Sequence, residues 1–115
     1  ENHIAACGSI TAAVERARTL SPGKKITVEV ETLAELQEAI HAHPDQIMLD
    51  EFSPDNLALA KPGHDAGITV EISGSLTPSS IANLTTLSFP VCISSGAITK
   101  HVKALDLSLR IKPQD

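Results

Sequence analysis

The sequence predicts an α/β fold in which strands and helices alternate and the strands run parallel in one sheet. Two observations carry this reading. Short β-branched or aliphatic runs carry an acidic residue at Glu29, Asp50 and Glu71, a spacing of 21 residues twice over. A period of roughly 20 residues fits strand, turn, helix and return turn, which lays each new strand beside the last. Between these runs the apolar residues fall at helical spacing behind capping signals. A leucine-rich repeat has a similar period, but its Leu-x-x-Leu-x-Leu signature is missing. The three carboxylates are therefore expected at one height, on the rim formed by the strand C-terminal ends, where βα loops gather substrate and metal.

Taken in order, residues 3–7 form a short apolar run, and Gly8-Ser9 supplies a turn and an N-cap. Ile10, Ala13, Val14, Ala17 and Leu20 mark the inner face of a helix that stops at Ser21-Pro22-Gly23. Residues 25–30 form the first strand. Thr32-Leu33-Ala34-Glu35 is a capping box, and Leu33, Leu36, Ala39 and Ile40 make the buried stripe of the helix it opens. His41 and His43 near that helix end read as solvent-side residues complementing the dipole rather than as a metal pair. Residues 46–49 form the second strand, ending at Asp50. Ser53-Pro54 starts a helix with Pro at its first position, which is expected to break at Pro62-Gly63. The third strand covers residues 68–72, and Thr77-Pro78 caps a helix with Ile81, Leu84 and Leu87 inside. Residues 90–94 read as a buried fourth strand, and residues 99–105 hold a helical turn. The alternation in residues 104–111 reads as a last strand with one wet face.

A chain of 115 residues, 42% hydrophobic, can hold a single core. It is short for a closed eight-stranded barrel, which takes roughly 250 residues. Fourteen Asp and Glu against nine Lys and Arg give a net charge of −5, which speaks against nucleic acid or an anionic membrane as partner. With two Phe and neither Trp nor Tyr, base-stacking platforms are lacking as well. No apolar run approaches the roughly 20 residues of a membrane span. Cys7 and Cys92 read as buried reduced thiols, in keeping with a cytoplasmic protein. The chain opens on Glu1-Asn2-His3-Ile4 without a Met and reads as a piece beginning inside a motif.

The expected rim combines two kinds of group. Glu29, Asp50 and Glu71 are hard oxygen donors, suited to Mg²⁺ directly or through water and to sugar hydroxyls. Ser73-Gly74-Ser75 and Ser94-Ser95-Gly96 are small-residue loops after strands, whose backbone N–H groups can approach phosphate oxygens closely. Together they suit a sugar phosphate with a metal ion. Cations are scarce: Lys100, His101 and Lys103 are the ones on this face. The missing positive charge is expected from an upstream segment or a partner subunit.

Glu1-Asn2-His3, Val28-Glu29-Val30-Glu31, Met48-Leu49-Asp50-Glu51-Phe52, Glu71-Ile72-Ser73-Gly74, Ser95-Gly96-Ala97-Ile98-Thr99-Lys100 and Ala104-Leu105-Asp106-Leu107-Ser108 follow one another in this order. In this the chain resembles the quinolinate phosphoribosyltransferase family, the nicotinate-nucleotide pyrophosphorylases of NAD biosynthesis, essentially end to end. The resemblance implies part of a type II phosphoribosyltransferase, TIM-like α/β barrel. Residues 1–115 would be its C-terminal portion, with an N-terminal α+β domain and the first part of the barrel lying upstream. It implies quinolinate and phosphoribosyl pyrophosphate as substrates, Mg²⁺ as cofactor, and a homodimer or higher homo-oligomer whose subunits complete each other's sites. Glu29 and Asp50 would face the ribose and the metal as catalytic residues. Ser73, Gly74, Ser75, Ser94, Ser95 and Gly96 would hold phosphate, and Lys100 would stand on the pyrophosphate side. No role follows for Glu71 or His101.

Three positions depart from the family pattern. Ser75 stands where Gly or Asn is usual, Ser95 where Val is usual, and Glu51 where Asn is usual, which adds negative charge beside Asp50. The family's basic quinolinate-binding segments would precede residue 1, so the chain alone is expected to be inactive. Two further readings keep the same fold: the related branch associated with molybdenum transport, and a barrel fragment without catalytic function.

Overall fold

The computed structural model describes residues 2–100 and 102–112. Two short helices open the chain, α1 (Asn2–Cys7) and α2 (Ile10–Leu20), and β1 (Thr27–Val30) leads into α3 (Leu33–Ala42). Next come β2 (Gln46–Asp50), α4 (Pro54–Leu57), a 3₁₀ turn (Ala58–Ala60), α5 (Lys61–Asp65) and β3 (Thr69–Ser73). The series ends with α6 (Pro78–Asn83), a 3₁₀ turn (Leu84–Thr86), β4 (Cys92–Ile93) and α7 (Ala97–Lys100). All strand pairs are parallel, in the spatial order β1-β2-β3-β4. Sequential order combined with crossovers of one hand sends every returning helix to the same side of the sheet.

Burial follows from that arrangement. Val28 and Val30, Ile47 and Leu49, and Val70 and Ile72 are buried, and they join Ile10 and Val14 of α2, Leu36 and Ala39 of α3, Leu57 and Ala60 in one core. Each of the Val, Leu and Ile side chains contributes about 1.5–3 kcal/mol by leaving water. The alternate strand positions, with Glu29, Met48, Asp50, Glu71 and Ser73, lie on the opposite and more open face. Gln46 is the buried polar exception there, its side chain hydrogen-bonded to Lys25 and to Glu71. His64 and Phe89 stack with ring centroids 5.3 Å apart, fastening α5 to the segment before β4.

Several expectations change. Residues 3–7 belong to a helix, α1. The first strand starts at Thr27 rather than at residue 25. Pro62 and Gly63 lie inside α5, because a proline in the first turn loses no intrahelical bond, and Gly63 is buried against Ile40. Leu20, Leu33 and Ile81 are exposed, at the outer margins of their helices. The fourth strand shrinks to two residues with Cys92 exposed and Ile93 44% exposed, and Cys7 is only half-buried, so the buried-thiol reading fails for both cysteines. Ala97–Lys100 is the helical turn, earlier than residues 99–105. The expected last strand is not formed: the described residues from Val102 to Lys112 carry no regular secondary structure, and Leu107 and Leu109 are 85% and 91% exposed. Alternation supplies an apolar face, but a strand also needs a neighbour to satisfy its backbone, and two-residue β4 offers little edge. Glu1 and His101 lie outside the described residues.

Candidate functional site

The strand register decides which acidic residues meet. Glu29 of β1 pairs with Met48 of β2, which pairs with Glu71 of β3, so Glu29 and Glu71 share a rung. Asp50 lies one rung pair further on, opposite Ser73. The even 21-residue spacing does not become an even height, since the register steps are 19 residues from β1 to β2 and 23 from β2 to β3. Glu29 and Asp50 nevertheless share one face and the same half of the sheet. Strand geometry puts their Cα atoms roughly 8 Å apart.

Asp50 opens onto a groove of about 540 Å³ at the strand C-terminal ends, lined also by Glu51, Ser73, Gly74, Ser75, Gly96 and Lys100. Six of the residues expected at the site thus meet in one place. Glu29 does not line the groove, although it lies on the adjoining open face. Ser94 and Ser95 do not line it either. The Ser94 N–H is used in the ladder, donating to the Ile72 carbonyl at 3.0 Å, and its buried hydroxyl has no hydrogen-bond partner among the described residues. The Ser95 hydroxyl accepts from the Ala97 N–H at 3.3 Å, holding the turn into α7. Glu71 accepts from the Gln46 amide, which ties it into the sheet surface behind the groove.

Two glycines let charged side chains close over the loops. A β-carbon on Gly96 would stand 3.3 Å from Cδ and Cε of Lys100 and 3.6 Å from its Nζ, so the lysine folds back across that glycine. Gly74 has φ +127°, and a β-carbon there would stand 2.7 Å from Cδ of Glu51. Glu51 itself has φ +51°, a left-handed conformation uncommon for a glutamate. Its N–H donates to the Ser73 carbonyl at 3.2 Å, and its Oε1 accepts from the Ser75 N–H at 2.9 Å and the Ser75 hydroxyl at 2.8 Å. From the sequence, Glu51 is a neighbour of Asp50 bearing on metal affinity. Its place in the Ser73–Ser75 loop depends on the left-handed turn after β2, which no local residue pattern announces. Thr77 also lines the groove and is legible in the sequence only as a cap.

A divalent ion fits this donor set only in a limited way. Among the described residues there is no group of three or more His, Cys, Asp or Glu able to hold a metal ion. Asp50 is the one groove carboxylate not engaged with Ser75, since Glu51 is turned onto that loop, and so small a donor set suits an ion that keeps several waters and takes further ligands from a substrate's phosphates, the habit of Mg²⁺. Lys100 is the only Lys, Arg or His among the described residues that line the groove. Among the described residues no helix is long and apolar enough to cross a membrane.

Residues 1–110 match the protein family described as quinolinate phosphoribosyl transferase, C-terminal domain. The chain is 38% identical over 116 residues to the probable nicotinate-nucleotide pyrophosphorylase (carboxylating) of Archaeoglobus fulgidus, covering 96% of this chain and 44% of that protein. It is 40% identical over 114 residues to the similarly named protein of Bacillus subtilis, covering 96% of this chain and 38% of the relative. Among solved structures, the nicotinate-nucleotide pyrophosphorylase from Francisella tularensis superposes with a TM-score of 0.80 at 42% identity, over 94% of this chain and 38% of that one. The chain thus spans less than half the length of these relatives.

Proposed function

The chain belongs to the quinolinate phosphoribosyltransferase family by its C-terminal domain, and on that premise we propose that the protein carrying it makes nicotinate mononucleotide from quinolinate and phosphoribosyl pyrophosphate. In this reading the chain is the C-terminal portion of the α/β-barrel domain. The observation that carries it is the meeting of Asp50, the Ser73–Ser75 loop and the Gly96–Lys100 turn in one groove at the strand C-terminal ends. A carboxylate, amide-lined loops and one lysine are what a phosphorylated ribose with a charged leaving group requires.

The quinolinate nitrogen attacks the ribose carbon that bears pyrophosphate. The bond to pyrophosphate breaks with its electron pair leaving on pyrophosphate; the 2-carboxylate of the pyridine ring is then lost as CO₂, and the electron pair left on the ring carbon takes a proton from water. Positive charge grows on the ribose as the leaving group departs. Asp50, with Glu29 on the same face, stabilises that charge and orients the ribose hydroxyls. Backbone N–H groups of the Ser73–Ser75 and Gly96 loops hold phosphate, and Lys100 faces the pyrophosphate. Asp50 would hold Mg²⁺ through a carboxylate oxygen, and the ion would supply neutralisation of charge on the leaving group. Quinolinate brings two carboxylates into a groove with one lysine, so the remaining cations come from another segment of the protein or from a second subunit of a homo-oligomer. The two free cysteines and the enzyme's place in NAD synthesis support a cytoplasmic setting.

Steady-state kinetics of the full protein tests the assignment. Asp50→Ala and Glu29→Ala are each expected to lower kcat/KM by more than about tenfold, above about 1.4 kcal/mol of transition-state stabilisation, with unchanged circular dichroism. Wild-type-like rates in both variants would remove the proposed roles.

A further inference from the structure

We propose that the Glu51 carboxylate is a tethered competitor for the phosphate-binding loop, occupying its donors until a substrate phosphate displaces it. The inference rests on the reading above, in which the Ser73–Ser75 loop receives phosphate, and adds the residue that sets the affinity of that loop. The carboxylate takes both donors that Ser75 offers, the N–H at 2.9 Å and the hydroxyl at 2.8 Å. It reaches them because Gly74 has no β-carbon, since one there would stand 2.8 Å and 3.1 Å from the two carboxylate oxygens. The left-handed turn at Glu51 aims the side chain back over the loop instead of along the strand.

A carboxylate oxygen and a phosphate oxygen want the same donors, and two anions on one N–H repel. Binding of phosphate at Ser75 therefore requires Glu51 to turn out of the loop. The side chain is free to do so: it is exposed, and its hydrogen bonds among the described residues are the two to Ser75. A weak monoanion gains nothing over the carboxylate already present, whereas a phosphate dianion offers more charge and more acceptor oxygens. Glu51 thereby raises the threshold for occupancy and favours the doubly charged ligand.

Calorimetric titration of the full protein with inorganic phosphate, alongside the KM for phosphoribosyl pyrophosphate, tests this. Glu51→Gln removes the charge at constant shape. Glu51→Gly removes the side chain at a φ that glycine adopts freely. Both are expected to bind phosphate at least about fivefold more tightly, the size expected of removing a like charge a few ångströms from an exposed anion, with a lower KM for phosphoribosyl pyrophosphate. Unchanged or weaker phosphate binding in both variants, with wild-type-like melting, overturns the proposal. Ser75→Pro, which deletes the shared N–H, separates the two levels of the argument. Loss of phosphate affinity there, without a gain in the Glu51 variants, leaves the loop assignment standing and removes only the competitor. Full phosphate affinity in Ser75→Pro removes the loop assignment and the competitor with it.

Discussion

At Gly74 a single missing β-carbon shapes the site. Its φ of +127° lies where side-chain-bearing residues rarely go, and the space beside it is filled by the Glu51 carboxylate. Gly74→Ala therefore meets two obstacles of different size. The contact with Glu51 is relieved when that flexible side chain turns away, while the backbone strain is not. Urea unfolding is expected to show a loss of about 1–3 kcal/mol, with little recovery when Glu51→Gly is added; full recovery would mean that the side-chain contact, rather than the backbone, carried the cost. Gly74, Ser75 and Asp50 are legible in the sequence as chemistry-bearing types in small loops and at strand ends. The position of Glu51 is not, because one left-handed residue redirects a side chain without leaving a compositional trace.

Among the elements, the helices with capping signals are the ones whose starts the sequence places well. Thr32 accepts from the Glu35 N–H, and Glu35 returns the bond to the Thr32 N–H at 3.1 Å, so the start of α3 is fixed by two reciprocal bonds. Thr77 and Ser80 form the same arrangement at α6, with Pro78 following the cap. Tertiary contacts with α2 hold the rest of α3: Arg18 donates to the His43 carbonyl at its C-terminal end at 2.6 Å, and the Thr11 N–H donates to Glu38 in its middle at 3.1 Å. Thr32→Ala is expected to cost about 1 kcal/mol in chemical denaturation, while the conservative Thr32→Ser costs less. Equal losses in the two variants would assign the effect to packing of the threonine methyl rather than to the cap. The elements misjudged from sequence are those lacking such local chemistry. The run at residues 90–94 and the alternation at residues 104–111 have strand composition, yet only pairing makes a strand, and pairing is a property of neighbours.

Seen whole, the molecule has one sheet face closed by helices and one open, and the open face carries the candidate site. An open face exposes the carboxylates of Glu29 and Asp50 to water, where their attraction for a developing cation is weakened by the high dielectric. With Lys100 as the groove's only cation among the described residues, weak binding is expected of the two polyanionic substrates proposed above. The 115-residue chain, incubated with quinolinate, phosphoribosyl pyrophosphate and Mg²⁺, is therefore expected to release no pyrophosphate above background. Turnover within about tenfold of the full protein would show that no further cations are needed and would sink the charge argument.

The periodic apolar runs and the capping boxes by themselves determine a parallel βα sheet with small-residue loops at the strand C-terminal ends, because helix and strand periodicity depends on residues a few positions apart. The heights of the acidic residues were decided only by the tertiary structure. Register steps of 19 and 23 residues put Glu71 on one rung with Glu29, across Met48, and move Asp50 forward to the groove. The reason is that register is set by how strands pack across a shared core, and residues far apart in the chain settle it together.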